Sequence, residues 1–325
     1  MTSQQLLLGV DSGGSKTHAV LADEHGNTLG AGLAGCSNYQ YVGEASAIAE
    51  IESAIDAAFG QAGLARRSVD YACFGIGGAD TPEDMAKARQ WVADHRWAAH
   101  CLAVNDGMLP LYAACPDGQG VSVIAGTGAI MWAQTLDGRI ARASGWGYLL
   151  GDEGGGWQLG HEALRSVARA ADGRGPSTLL TERVLAFWSL RTPYDLINRL
   201  YQADVTPADV AALAKVVVDC AAEGDAIALR IARAGADELA LAAKAVMDTL
   251  GLRLPLTLAY SGSLLIKGLF YRELFAESCR RMIGDIALAP VADPVLGAVA
   301  AAKLLMARDR CMSLNSRKAA QPLRD

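Results

Sequence analysis

An order of elements that occurs twice limits the folds open to this chain. Three strands are predicted at the start of each half, separated by a glycine-rich turn and then by a second short turn, DSGGSK and EHGN in the first half and GTG and LDGR in the second. The strands cover residues 6–10, 17–23 and 27–35 in the first half and 121–125, 129–135 and 139–144 in the second. The repetition predicts a duplicated α/β domain.

Alternating helices and strands complete each half. The first half continues with predicted helix 43–62, strand 71–80, helix 82–95, strand 101–107 and a short helix toward residue 114. The second continues with helices 157–172, 177–190, 206–221 and 224–250, strand 257–262, helix 264–282, a strand near 286–290 and a helix over 293–308. We therefore expect an N-terminal domain over 1–118, a C-terminal domain over 119–292, a final helix that packs back on the first domain, and a disordered tail over 309–325.

Composition excludes several classes of protein. The 325 residues include 35 acidic and 29 basic side chains, a net charge of −6, so no basic excess exists to neutralise nucleic-acid phosphates. No apolar run has the ~18 residues of a membrane span, and the N-terminus lacks a secretory signal pattern. The seven cysteines include no C-x-x-C pair, which indicates reduced thiols in a cytoplasmic protein.

The turn DSGGSK (11–16) is a candidate phosphate loop of an uncommon kind. A strand rather than a helix follows it, which excludes both the Walker A motif and the dinucleotide-binding fingerprint. The exposed backbone N–H groups of a glycine-rich hairpin can still bind phosphate oxygens. Asp11 would repel phosphate, but it can bind the magnesium that accompanies it, usually through water. A tight turn with an Asx-type aspartate is the alternative.

Several segments resemble a known family. In their order, DSGGSKT, NDG and AGTGA resemble the sugar kinase, heat-shock protein and actin superfamily of ATPases. More narrowly, GVDSGGSKTHAV, GCSNY (35–39), IAGTGA and GWGYLLGDEGGGWQLG (145–160) resemble the N-acetylglucosamine kinases, which are grouped with the BadF/BadG/BcrA/BcrD ATPases. The resemblance extends to about residue 305. It implies an α/β fold of two duplicated ribonuclease-H-like (actin-like ATPase) domains with an interdomain cleft.

The resemblance also implies ATP and Mg²⁺ as cofactors. Asp11 matches the family's magnesium-associated aspartate. The matching ATP-binding residues are Gly13, Gly14, Ser15, Lys16 and Thr17 in a first phosphate loop, Gly126, Thr127 and Gly128 in a second, and Gly262 and Ser263 beside adenosine. This chain departs from the family at Ser12, where glycine is frequent, and at Ser15, where threonine is usual. Both residues are small, so the loop should keep its shape.

Asp106 matches the catalytic base of the family. A sugar hydroxyl is a poor nucleophile until a carboxylate accepts its proton. The end of a strand in an α/β sheet is also where ligands bind. The alternative is that Asp106 is only the N-cap of the following helix, a position that aspartate favours.

The residues implied to bind the sugar are Asn38, Asp106, Thr127, Trp146, Gly147 and Asp152. Amides and carboxylates suit contacts to vicinal hydroxyls, and a tryptophan can form a pocket wall. The alternative for Asp152 and Glu153 is a cap and first-turn charge for the helix that follows, and the two roles are compatible. His161, one turn further on, is expected to be structural.

The resemblance implies ATP-dependent phosphorylation of an amino sugar, most simply N-acetyl-D-glucosamine at its 6-hydroxyl. Glucosamine and N-acetylmuramic acid stay open as substrates, and so does the oligomeric state, including a homodimer. A second function in the same family is ATP-driven activation of a radical dehydratase, which needs paired cysteines for an iron–sulfur cluster. A third is an ATP-switched binding protein, which would lack a small-molecule pocket.

Overall fold

The computed structural model describes residues 5–319 and gives side chains as far as Cys311. The chain divides into two compact units. The N-terminal unit comprises residues 1–119 and 293–325, and the C-terminal unit comprises residues 120–292. Among the helices of residues 5–319, none combines the length and the apolar character that a membrane span requires.

The N-terminal unit is built on a five-stranded sheet in the order β3-β2-β1-β4-β5. Its strands are β1 (Leu6–Ser12), β2 (Thr17–Asp23), β3 (Thr28–Ala34), β4 (Val69–Ile76) and β5 (Ala98–Asn105). The first three strands are antiparallel neighbours, whereas β4 and β5 run parallel to β1. The carboxyl ends of β1, β4 and β5 therefore meet at one edge of the sheet.

The helices of the first part of this unit follow the predicted order. They are α1 (Tyr39–Val42), α2 (Glu44–Gln61), α3 (Pro82–His95) and α4 (Leu109–Ala114), with a 3₁₀ turn over Asp106–Met108. Two glycines of β3 let α2 lie close against the sheet. A Cβ atom on Gly30 or Gly32 would stand 2.3 or 2.1 Å from a carbonyl oxygen of α2. The glycines that weaken β3 as a strand are thus required for packing.

The C-terminal unit repeats the same sheet. Its strands are β6 (Gly120–Ala125), β7 (Ala129–Gln134), β8 (Ile140–Ser144), β9 (Thr257–Ser261) and β10 (Ala287–Pro290). Their order is β10-β9-β6-β7-β8, with β6, β7 and β8 antiparallel and β9 and β10 parallel to β6. The expected α/β class with a duplicated domain is confirmed.

The helices of the C-terminal unit depart from the prediction in three places. They are α5 (Gly156–Ala171), α6 (Leu179–Phe187), α7 (Asp195–Leu200), α8 (Pro207–Ala212), α9 (Ala214–Ala222), α10 (Ala226–Leu250), α11 (Ser263–Lys267) and α12 (Leu269–Met282). Helix α7 was not predicted, and the helix expected over 206–221 is interrupted at Leu213. The helix expected over 264–282 is interrupted at Gly268, whose ψ of 79° is not helical and whose missing Cβ would lie 2.4 Å from a carbonyl oxygen.

The final helix, α13 (Val295–Ala319), packs on β1, β4 and α4 of the N-terminal unit. A Cβ on Gly297 would lie 1.9 Å from the Leu109 carbonyl oxygen, so only glycine allows this approach. The expected disorder from residue 309 is wrong for residues 309–319, which continue the helix, since no proline or glycine interrupts the chain there. Asp309 also lies 3.1 Å from His100 Nδ1. Residues 320–325 of the expected tail lie outside the described residues.

Candidate active site

The first glycine loop connects β1 to β2 and is fastened at its base by hydroxyl groups. The Gly13 N–H donates to the Lys16 carbonyl oxygen at 3.1 Å, which closes the hairpin. The Thr17 hydroxyl donates to the Gly35 carbonyl oxygen at 2.7 Å and lies 2.6 Å from Ser37 Oγ, within hydrogen-bond distance. Gly14, Ser15 and Lys16 are exposed, whereas the Thr17 side chain is fully buried. Thr17, one of the five residues predicted for this loop, therefore stabilises the base of the loop through buried hydrogen bonds.

Gly77, which follows β4, brings three segments of the N-terminal unit together. Its N–H donates to the Ser12 carbonyl oxygen at 2.6 Å. A Cβ on Gly77 would lie 3.2 Å from Asp106 Oδ2 and 3.3 Å from Gly13 Cα. The carboxylate predicted to be the base thus lies beside the first glycine loop, at the carboxyl edge of the parallel strands.

Asp106 does not cap the turn that it begins. The N-cap is Asn105, whose Oδ1 accepts a hydrogen bond from the Gly107 N–H at 2.9 Å. The same N–H lies 3.0 Å from Asp106 Oδ1, and Asp106 Oδ2 points toward Gly77. The capping alternative for Asp106 is wrong, because the neighbouring asparagine fills that role.

Two carboxyl groups at this edge have raised pKa values. Burial, with the nearby charges of Asp11 and Asp80, raises the pKa of Asp106 to about 7. Burial raises the pKa of Asp11 to about 6, Lys16 opposes this shift, and Asp293 adds to it. Burial is thus the main cause of both shifts.

Two further polar side chains lie at the loop that follows β4: Asn38, which comes from the start of α1 and contacts this loop, and Asp80, which belongs to it. Asn38 caps α1 by accepting from the Gln40 N–H at 3.1 Å, and its Oδ1 lies 2.5 Å from where a Gly78 Cβ would stand. Asp80 Oδ1 accepts from Asn105 Nδ2 at 3.1 Å. Sequence reasoning missed Asp80, although its position just after a parallel strand is the signal that identified Asp106.

The second glycine loop joins β6 to β7 in the C-terminal unit. The Gly156 N–H donates to the Gly126 carbonyl oxygen at 2.8 Å, and the Trp157 N–H donates to that of Thr127 at 2.9 Å. The first residues of α5 are thereby fixed to the loop. A Cβ on Gly128 would lie only 2.1 Å from Asp152 Oδ2, so the loop needs glycine there.

A cavity of about 440 Å³ opens beside this loop. Gly126, Thr127 and Ser263, all predicted to bind ATP, line it together with residues of α8, α9 and α11. Gly262 shapes the junction from which α11 starts. Its φ is +89°, and a Cβ there would lie 2.2 Å from the Ala125 carbonyl oxygen. Three of the five residues predicted to contact ATP in this unit thus line one cavity, whereas Gly128 and Gly262 do not line it.

The segment 145–155 forms a loop before α5, and residues 146–150 of this loop are exposed. Asp152 Oδ1 accepts from the Gly147 N–H at 3.1 Å, which folds the loop on itself, and Asp152 has a φ of +62°. Trp146 is 68% exposed and its ring lies 5.3 Å from the Arg142 guanidinium. The N-cap of α5 is Gly155, without a side-chain cap, so the capping alternative for Asp152 and Glu153 is wrong.

His161 lies outside these sets of residues. Its ring stacks on Trp157 with centroids 4.6 Å apart, and burial lowers its pKa.

The described cysteines are all free, and Cys73, Cys115, Cys220 and Cys279 are buried. In residues 5–311, His, Cys, Asp and Glu side chains form no group of three or more arranged to hold a metal ion.

Comparison with known proteins identifies the family of the chain. The family model of the BadF/BadG/BcrA/BcrD ATPases matches residues 8–302. An N-acetylmuramic acid/N-acetylglucosamine kinase of Clostridium acetobutylicum is 32% identical over 247 residues, 76% of this chain and 81% of that protein. An N-acetyl-D-glucosamine kinase of Dictyostelium discoideum is 32% identical over 208 residues, 61% of this chain and 65% of that one.

A solved structure shows the same fold. A protein from Chromobacterium violaceum, provisionally assigned as an N-acetylglucosamine kinase, aligns with a TM-score of 0.71 and 30% identity, covering 93% of this chain and 99% of the other. The duplicated sheets and glycine loops therefore define a two-domain, actin-like α/β protein. Within that class, the chain belongs to the BadF/BadG/BcrA/BcrD ATPase family.

Proposed function

We propose that this protein transfers the γ-phosphoryl group of ATP to the 6-hydroxyl of N-acetyl-D-glucosamine. Family membership supports the use of ATP, and the names of the Clostridium and Dictyostelium relatives support an amino sugar. One observation carries the mechanism. The Asp106 carboxyl lies next to the first glycine loop and has a pKa raised to about 7.

Asp106 is the general base of this proposal. A base works best when its pKa is near the operating pH, because it is then both ionised and able to hold a proton. Asp106 accepts the proton of the 6-hydroxyl while the hydroxyl oxygen bonds to the γ-phosphorus. The bond from that phosphorus to the bridging oxygen of ADP breaks in the same step, so the products are the sugar 6-phosphate, ADP and a proton on Asp106.

In this proposal, two groups of residues bind the nucleotide. In the N-terminal unit, the backbone N–H groups of Gly13, Gly14, Ser15 and Lys16 bind phosphate oxygens, and the Lys16 ammonium adds positive charge. In the C-terminal unit, the cavity lined by Gly126, Thr127 and Ser263 receives the rest of the nucleotide, and its volume of about 440 Å³ lies in the range of small-molecule sites.

The residues around Asp11 fit a magnesium ion. Mg²⁺ is usually held by one or two carboxylates, water and substrate phosphates, so a full cage of protein ligands is not required. Asp11 supplies a half-buried carboxylate beside the phosphate loop, and the charge of Asp293 acts on the same group. When bound, the ion neutralises charge on the phosphate oxygens. Asp11 would hold it, with Asp293 as the nearby second carboxylate.

Sugar recognition is assigned to residues in both units. Asn38 and Asp106 of the N-terminal unit contact sugar hydroxyls. Thr127, Gly147 and Asp152 of the C-terminal unit supply polar groups, and Trp146 supplies an apolar wall for the acetamide methyl. The exposure of Trp146 and the open backbone of Gly147 support this assignment. N-acetylmuramic acid is a second candidate substrate, since the Clostridium relative is named for both sugars.

An assay of ADP release tests the proposal. We expect ATP turnover with Mg²⁺ to depend on added N-acetylglucosamine, and to fall when Asp106 is replaced by asparagine. Turnover that is the same with and without any amino sugar would contradict the proposal and favour an ATP-switched binding protein.

A further inference from the structure

A second cavity, of about 400 Å³, lies in the C-terminal unit and shares no lining residue with the cavity beside the second glycine loop. Its lining is rich in guanidinium groups. The polar residues that line it are Glu162, Arg165, Ser166, Arg169, Arg174 and Arg230. None of the functions proposed above uses these side chains.

Three separate segments bring the arginines together. Arg165 and Arg169 lie four residues apart, on one face of α5. Arg174 lies in the turn that follows α5, where the Gly175 N–H donates to the Arg169 carbonyl oxygen at 2.9 Å. Arg230 comes from the first turns of α10. Arginines from three segments thus give this cavity a positively charged lining.

Internal carboxylates neutralise only part of this charge. Glu162 pairs with Arg165 at 2.8 Å, and Asp172 pairs with Arg174 at 2.6 Å. Arg169 donates one hydrogen bond, from Nη2 to the Arg174 carbonyl oxygen at 3.2 Å. Arg230 has no hydrogen bond or ion pair within the part of the chain that the structure describes. At least two guanidinium groups are therefore left to bind an external anion.

A hydroxyl group adds to the lining. Ser166 lines this same cavity, and its hydroxyl makes no hydrogen bond to another described residue. The hydroxyl is therefore available to a ligand oxygen that enters the cavity.

We propose that this cavity binds the phosphate group of a small phosphorylated molecule. Guanidinium groups match phosphate oxygens with paired N–H donors, and they keep their charge at any physiological pH. The cavity is large enough for a phosphate with a small organic part. In this proposal Arg169 and Arg230 bind the phosphate oxygens, and the Ser166 hydroxyl donates to the anion. The ion pair with Asp172 fixes the position of the Arg174 guanidinium group at the edge of the cavity.

The test is a calorimetric titration of the full-length protein with glucose 6-phosphate. The protein is first saturated with a non-hydrolysable ATP analogue, Mg²⁺ and N-acetylglucosamine, so that the sites proposed for catalysis are filled. The variant is Arg169→Gln with Arg230→Gln. The control is Arg233→Gln, which removes one charge from α10, one turn away from Arg230, at a residue that lines neither cavity. The single variant Arg230→Gln, which removes the same charge from a lining residue, is compared with it.

We expect the double variant to bind glucose 6-phosphate at least about tenfold more weakly than the wild type, because two charge-assisted contacts are lost. Arg233→Gln should change the affinity by less than about twofold, since Arg233 does not line the cavity and its exposed charge is screened by solvent. Inorganic phosphate should displace the probe, and glucose should not bind. Sugar-dependent ATP turnover and the melting temperature should be unchanged in all three variants, which would show that they are folded.

Three results would overturn the proposal. The first is a wild-type protein that does not bind the probe. The second is a double variant with the affinity of the wild type. The third is glucose binding as tightly as its 6-phosphate. Because the comparison is between arginine variants, it stands even where the proposed sugar kinase activity fails.

Discussion

Asp106 Oδ2 lies 3.2 Å from the point that a Cβ atom on Gly77 would occupy. The absence of a side chain at Gly77 gives this carboxylate its place beside the first glycine loop. Burial is the largest cause of the raised pKa of this carboxyl group, and the charges of Asp11 and Asp80 add to it. The position of the proposed general base therefore depends on Gly77, and its basicity depends on burial and on two neighbouring carboxylates.

Replacing Asp106 by asparagine should lower kcat by about 10²–10⁴-fold, the usual loss when a general base is removed. The amide keeps the shape and can still accept from the Gly107 N–H, so the KM for the sugar should change little. Steady-state kinetics with N-acetylglucosamine as the varied substrate measures both. A variant that keeps more than about a tenth of wild-type turnover would exclude Asp106 as the base.

The pH dependence of kcat/KM should show how neighbouring charges change the pKa of Asp106. The base must be ionised, so activity should rise with pH through the pKa of Asp106. The charge of Asp80 raises that pKa, so Asp80→Asn should move the acid limb to lower pH. Asparagine can still accept from Asn105 at this position. An acid limb that does not move would show that Asp80 does not influence the base.

Ionisation of Asp106 should also lower the free energy of unfolding of the protein. Its pKa is about 7 in the folded protein and near the ordinary aspartate value of 3.8 in the unfolded chain. Below pH 4 both states are protonated and the group has no effect. Between pH 4 and 7 the unfolded chain ionises first, so the free energy of unfolding falls as pH rises, and the loss is complete above pH 7.

Thermal melts without metal or nucleotide test this sign. Asp106→Asn should melt at a higher temperature than the wild type at pH 7.5, and the difference should shrink as the pH approaches 4. A variant that melts lower than the wild type at pH 7.5 would contradict the raised pKa.

Two glycines of the second glycine loop provide a variant and its control for the proposed role of Asp152 in sugar binding. A Cβ on Gly128 would meet Asp152 Oδ2 at 2.1 Å, whereas one on Gly126 would meet nothing within 4 Å. Gly128→Ala should displace the Asp152 carboxylate and break its contact with the Gly147 N–H, which raises the KM for the sugar about tenfold or more.

Gly126→Ala is the control for this variant. It lines the nucleotide cavity, so its effect should fall on the KM for ATP rather than on that for the sugar. Equal sugar KM values for the two variants would show that Asp152 has no part in binding the sugar.

Much of the fold follows from local patterns. The glycine turns after Val10 and Ala125 and the alternation of the flanking strands are local signals, so the strands of both sheets were predicted within a few residues. The same patterns place Asp11 and Asp106 at strand ends, which is where the structure has them. Nothing at a distance is needed to identify such positions.

Other features depend on contacts that a sequence does not display. Asn105 and Asp106 are both good caps, and only the backbone conformation decides between them. The burial of Thr17 depends on Ser37, twenty residues away. The role of Asp80 depends on β4 and β5 being neighbours, and α13 continues past residue 308 in a segment whose mixed charge suggested a tail.

The most direct test of the account is the identity of the sugar that receives the phosphoryl group. The protein, with ATP and Mg²⁺, is given N-acetylglucosamine, N-acetylmuramic acid, glucosamine and glucose in separate reactions, and the products are assigned by ³¹P NMR. The account predicts N-acetylglucosamine 6-phosphate, with a kcat/KM at least about tenfold above those for glucose and glucosamine, because polar groups committed to the acetamide would be left unpaired. Equal or better efficiency with the unacetylated sugars, or phosphorylation at another hydroxyl, would contradict it.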